Sequence, residues 1–102
     1  MPEILIHAEP LRRIAQKIFV AVGCFPEEAA RIARHLVLSN LTGHDSHGVI
    51  RIPRYLQWVD NGSLKPNQTA TVIGERDSMV LLEGNCGFGQ TLAPEAVAIG
   101  IK

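Results

Sequence analysis

The hydrophobic period of this chain changes once, near residue 69, and that change limits the folds open to it. Up to "NGSLKPNQ" (61–68) apolar residues recur at helical spacing, whereas "TATVIGERDSMVLLEGN" (69–85) carries two short β-branched or apolar runs. Helices followed by paired strands predict an α+β chain. Pro10 suits a first helical position, Leu11, Ile14, Ala15, Ile18, Phe19 and Val22 form one stripe, and Gly23 can close the helix. Pro26 opens a second helix in the same way. Glu27 and Glu28 sit where the helix dipole favours negative charge, and Ala29, Ile32, Ala33, Leu36 and Val37 form the stripe up to Gly43. Thr69–Ile73 and Met79–Leu82, separated by "GERDS", read as a hairpin, and Leu92–Ile101 reads as a helix with Pro94 in its first turn. That helix running uncapped to Lys102 reads as an interruption. The expected organisation is an amino-terminal segment of about three helices over 1–68 and, over 69–102, the incomplete start of an α/β domain.

The third helix contains the chemistry. In "GHDSHGVIRIPRYLQW" (43–58), Pro53 is tolerated only in a first turn, so the helix should begin near Gly48 to Ile50. At about 100° per residue, Val49, Ile52, Leu56 and Val59 share one side, while His47, Arg51, Arg54, Tyr55 and Trp58 share the other.

A chain of 102 residues makes one domain at most. Ten basic residues balance ten acidic ones without a long like-charge run, which gives no support to nucleic acid or a membrane surface as partner. The start, "MPEILIHAEPLRR", lacks the features of a secretory signal, and no segment approaches a membrane span in length. A soluble, intracellular chain is the expectation. Cys24 and Cys86 stand far apart and outside any CxxC spacing, consistent with buried, reduced, chemically silent thiols.

Four readings fit the polar face. It can be a solvated helix surface. It can be a metal site built on His44, Asp45, Ser46 and His47, although a zinc site needs three or four ligands and His7 and His35 have no suggestive spacing; no metal is assigned. It can be an interaction module anchored by Arg51, Tyr55 and Trp58, residue types frequent at interface hot spots. Or it can be an anionic-substrate site, where an imidazole exchanges protons near neutral pH, Ser46 holds it, and Arg51 clamps a carboxylate through its fork of donors. Gly84, Gly87 and Gly89 spell GxxGxG, not the GxGxxG order of a dinucleotide-binding turn, so the loop reads as a tight turn with close backbone approach and neither Cys86 nor Gln90 receives a cofactor role.

"LTGHDSHGVIRIPRYLQWVDNGSLKPN", together with "LLEGNCGFGQ", resembles the amino-terminal part of the type 2 malate/L-lactate dehydrogenase family, which also includes ureidoglycolate, sulfolactate and cyclic-imino-acid oxidoreductases. The resemblance implies a fold that is not Rossmann and an oxidoreductase that interconverts a 2-hydroxy acid and a 2-oxo acid with NAD or NADP. It places the proton-donating histidine on His47, its orienting serine on Ser46 and the carboxylate-binding arginine on Arg51, with Tyr55 lining the pocket. It further implies a cytoplasmic homodimer more than three hundred residues long. The cofactor-binding regions, and an aspartate coupled to the histidine, would lie beyond position 102.

Overall fold

The computed structural model describes residues 6–101. The readings placed on residues 1–5 and on Lys102 lie outside them. Helices α1 (Ala8–Ala21) and α2 (Pro26–Leu41) come first. Two single 3₁₀ turns, Asp45–His47 and Val49–Arg51, lead into α3 (Ile52–Asp60). Strands β1 (Thr71–Arg76) and β2 (Met79–Glu83) follow, and α4 (Gly89–Ile101) closes the described chain. The arrangement is α+β, and its antiparallel strand pair is not a Rossmann unit.

Helices α1 and α2 pack as a hairpin. The predicted stripe of α2 is buried throughout, from Ala29 to Val37, but on α1 only Ala15 and Phe19 are fully buried, and Ile14 remains exposed. Their common core holds Phe19, Cys24, Ile32 and Leu36 together with Phe88, which comes from the glycine-rich loop 84–89. Phe88 stands edge-on to Phe19 at 5.8 Å and to Tyr55 at 5.9 Å. Aromatic pairs of this kind add about 0.5–1.5 kcal/mol each beyond their buried area. One loop residue therefore joins the helical part to the strand part.

Five boundaries differ from expectation. Helix α1 starts at Ala8, leaving Pro10 third in the helix, where its missing N–H still has no intrahelical partner to lose. The α-helical part of the third helix begins at Ile52 rather than near Gly48 to Ile50, because the preceding residues form tighter 3₁₀ turns; Pro53 still falls in the first turn. The hairpin is tighter than "GERDS" suggested. Gly74–Arg76 continue β1, and the turn is Asp77-Ser78 alone, with Asp77 at φ 50°, a conformation aspartate tolerates. Thr69 and Ala70 are not in the strand because their backbone groups are engaged elsewhere: the Ala70 N–H donates to Glu95 Oε1 (2.9 Å), and the Thr69 carbonyl accepts from Asn85 Nδ2 (2.8 Å). Helix α4 begins three residues earlier than Leu92, so Pro94 lies in its second turn, not its first.

Glu28, expected only to favour the dipole of α2, is buried and ties three segments together. Its Oε1 accepts the Asn67 N–H (2.6 Å), and its Oε2 accepts the Thr91 hydroxyl (2.5 Å), which in turn accepts Arg31 Nη1 (2.7 Å). The loop after α3 and the start of α4 are thereby held to α2. Gly87 shows why the glycine loop needs glycine: a Cβ there would lie 2.8 Å from Gln68 Cβ and 3.1 Å from Leu92 Cδ1. The close-approach reading of this loop agrees with that packing.

Candidate functional site

Leu41 ends α2, and the chain turns back at Thr42-Gly43, the His44 N–H reaching the Ser39 carbonyl at 2.8 Å. The following turns are pinned to the end of α2. Asn40 Oδ1 accepts the Val49 N–H and Asn40 Nδ2 donates to Asp45 Oδ1, both at 2.9 Å. Gly48 is buried directly over this amide, where any Cβ would overlap the Asn40 side chain. The sequence "SHG" thus needs its glycine for a steric reason.

From this turn His47 and Arg51 face a cleft of about 410 Å³, lined by His35, Leu36 and Ser39 of α2, by His47, Arg51 and Tyr55, and by Gln90 of α4. That is within the range typical of small-molecule sites. His47 is exposed at its rim. Arg51 Nε donates to the Ser46 carbonyl at 2.7 Å, which orients the guanidinium and leaves both Nη groups for another acceptor. The Tyr55 hydroxyl accepts Gln90 Nε2 at 3.3 Å.

Of the four sequence-predicted site residues, the fold brings His47, Arg51 and Tyr55 to one cleft. Ser46 does not line it; its contribution is the carbonyl that holds Arg51. The predicted polar face is also divided. Tyr55 packs against the core with Val49, Ile52 and Val59, because Phe88 supplies a partner on that side. Arg54 lies over the Trp58 ring at 6.0 Å, outside the cleft. His44 and His47 have ring centroids 6.5 Å apart. Among the described residues no group of three or more His, Cys, Asp or Glu side chains could hold a metal ion.

Sequence reasoning missed His35, Ser39, Asn40 and Gln90. The first two are four residues apart beside the buried Leu36, a helical-wheel signal present in the sequence. Nothing local marks Asn40 or Gln90, since their roles arise from contacts with residues 5–35 positions away.

The cysteines differ from each other. Cys24 is buried, and its thiol is pushed up from 9.0 to about 12, first by burial and then by the charge and hydrogen bonding of Glu28. Cys86 is exposed, contrary to the expectation of two buried thiols, because it occupies the outer corner of the 84–87 turn with φ 60°.

The sequence profile of the malate/L-lactate dehydrogenase family matches residues 6–102. The chain belongs to this family. It is 40% identical over 95 residues to hydroxycarboxylate dehydrogenase B of Escherichia coli O157:H7, covering 93% of this chain and 26% of the relative. It is 31% identical to malate/(S)-sulfolactate dehydrogenase of Methanothermus fervidus, covering 97% and 29% respectively. A solved structure assigned as a malate/lactate dehydrogenase from E. coli superposes with a TM-score of 0.90 at 37% identity, covering 97% of this chain and 28% of that one. The chain thus spans little more than a quarter of the length of these family members.

Proposed function

We propose that the chain forms the substrate-binding and acid/base wall of an NAD- or NADP-dependent enzyme interconverting a 2-hydroxy acid and a 2-oxo acid. The observation that carries this reading is the convergence of His47 and Arg51 on one cleft whose other polar groups are His35, Ser39, Tyr55 and Gln90. Arg51 receives the substrate carboxylate through its free Nη groups. His47 gives a proton to the carbonyl oxygen as it becomes a hydroxyl, and takes it back in the reverse direction. Ser46, the expected orienting partner of His47, serves the pair through the backbone carbonyl that holds Arg51, and Tyr55 with Gln90 lines the pocket beside them.

The residues present here do not fit a dinucleotide. At Gly84 and Gly87 the glycine-rich loop is packed against Leu92 and Gln68, and its order is GxxGxG, not the GxGxxG of a dinucleotide-binding turn. The chain's own part is therefore confined to the substrate side, and residues 1–102 alone should neither bind NADH or NADPH nor turn over 2-oxo acids, as calorimetric titration and a spectrophotometric assay would check. The domain division near residue 69 and a cytoplasmic, homodimeric enzyme belong to the same proposal. The deciding experiment is steady-state kinetics on the complete enzyme with His47→Ala and Arg51→Lys. Near-normal kinetics for both variants would refute the reading.

A further inference from the structure

We propose that Asn40 is the positioning residue of the site and that it acts through a relay ending at the Arg51 guanidinium. Its carboxamide spans the turn that carries Ser46 and His47, with the acceptor end on the Val49 N–H and the donor end on Asp45 Oδ1. Gly48 is drawn against it so closely that no side chain fits between them. The segment between these two anchors has little freedom left, since the His47 N–H bonds to the His44 carbonyl (2.9 Å) and the Gly48 N–H to the Asp45 carbonyl (3.0 Å). Ser46, held inside this span, presents the carbonyl that accepts Arg51 Nε. The order of the relay is Asn40, the 45–49 turn, the Ser46 carbonyl, then the arginine fork. A carboxamide suits the first place because it offers a donor and an acceptor side by side; a carboxylate offers only acceptors. The functional meaning of the relay rests on the roles proposed for His47 and Arg51, whereas the relay itself does not.

The test follows hydrogen exchange in the 102-residue chain by NMR at pH 7, which needs neither turnover nor ligand. Asn40→Asp retains an acceptor for Val49 but replaces the donor facing Asp45 Oδ1 with a second carboxylate oxygen. Protection of the Arg51 Nε–H and of the His47 and Gly48 amides should fall by about tenfold, the equivalent of one lost hydrogen bond. The exchanged pair Asn40→Asp/Asp45→Asn again opposes a donor to an acceptor and should restore it. Asp45→Ala, at an exposed position, removes the same bond without placing a new charge against the helix and should also lower the protection. The Cys24 and Ala29 amides, bonded within the core region, should not change in any variant. Unchanged Arg51 Nε–H protection in Asn40→Asp or Asp45→Ala, or no recovery in the exchanged pair, would overturn the proposal. In the complete enzyme, Asn40→Asp should raise KM for the 2-oxo acid more than it lowers kcat, with recovery in the exchanged pair. Kinetic insensitivity to His47→Ala and Arg51→Lys would remove the functional reading and leave the exchange result standing. Sensitivity to those two, with Arg51 exchange indifferent to Asn40, would remove the relay alone.

Discussion

His47 and Arg51 differ in what their replacement should cost. General acid/base assistance is worth about 10²- to 10⁴-fold, so His47→Ala in the complete enzyme should lower kcat within that range. Arg51→Lys keeps the charge but loses the fork and also the Nε–H that Ser46 holds. Its main effect should be a raised KM, smaller for an analogue lacking the carboxylate. Arg54→Ala should be nearly silent, since Arg54 lies over Trp58 outside the cleft. The two thiols supply a test of a different kind. At pH 8 a thiol reagent should modify exposed Cys86 and spare buried Cys24, whose thiol is pushed up to about 12; mass spectrometry of the labelled chain reads this directly. The same shift has a sign for stability. The folded state holds the Cys24 proton more tightly than the unfolded state does, so the contribution is fully present below about pH 9 and is lost as pH rises towards 12. Denaturant melts across that window should show stability falling, and Cys24→Ala should flatten that part of the decline.

At the scale of elements, short contacts hold the pieces in place. Glu28→Ala removes the acceptor for the Asn67 N–H and the Thr91 hydroxyl, both half-buried. Hydrogen bonds to a charged group are worth about 1.5–3 kcal/mol, so a destabilisation of roughly 3 kcal/mol is expected in urea titration, with α4 loosening first in hydrogen exchange. Gly48→Ala should disturb the opposite end of α2, because its Cβ would displace the Asn40 amide. There the loss should be local to residues 44–51, leaving the helix hairpin intact. The helix signals were legible in the sequence since stripes, prolines and glycines are local; Pro26 marks the start of α2, and all five residues of its predicted stripe are buried. The strand limits were less so, because the start of β1 is decided by bonds from Ala70 to Glu95 and from Asn85 to Thr69, far along the chain.

The whole molecule is extended. Its radius of gyration is 15.3 Å with a long axis of 54 Å, against about 13 Å for a compact domain of this size. The hairpin and α4 leave apolar side chains uncovered: Met79 is 71% exposed, Leu81 62%, Val97 61% and Ile101 79%. A two-stranded sheet is marginal in water without a surface to pack on, and uncovered apolar patches favour association. The isolated chain should therefore self-associate with rising concentration, and Leu81→Lys or Val97→Lys should reduce that association in sedimentation velocity. A monodisperse monomer at all concentrations would contradict this account of the apolar surface.

By itself the sequence determined the element types, the buried stripe of α2, the neutral charge balance, and the pairing of His47 with Arg51 one helical turn along. These follow from period and residue chemistry, which act over a few positions. Only the tertiary structure decided that Tyr55 turns towards Phe88, that Gln90 meets it, that Glu28 is buried, and that Asn40 clamps the turn beneath His47. The first three depend on partners more than thirty residues away, brought close by tertiary packing, which leave no mark in the local pattern; the last depends on how the chain folds back over the end of α2.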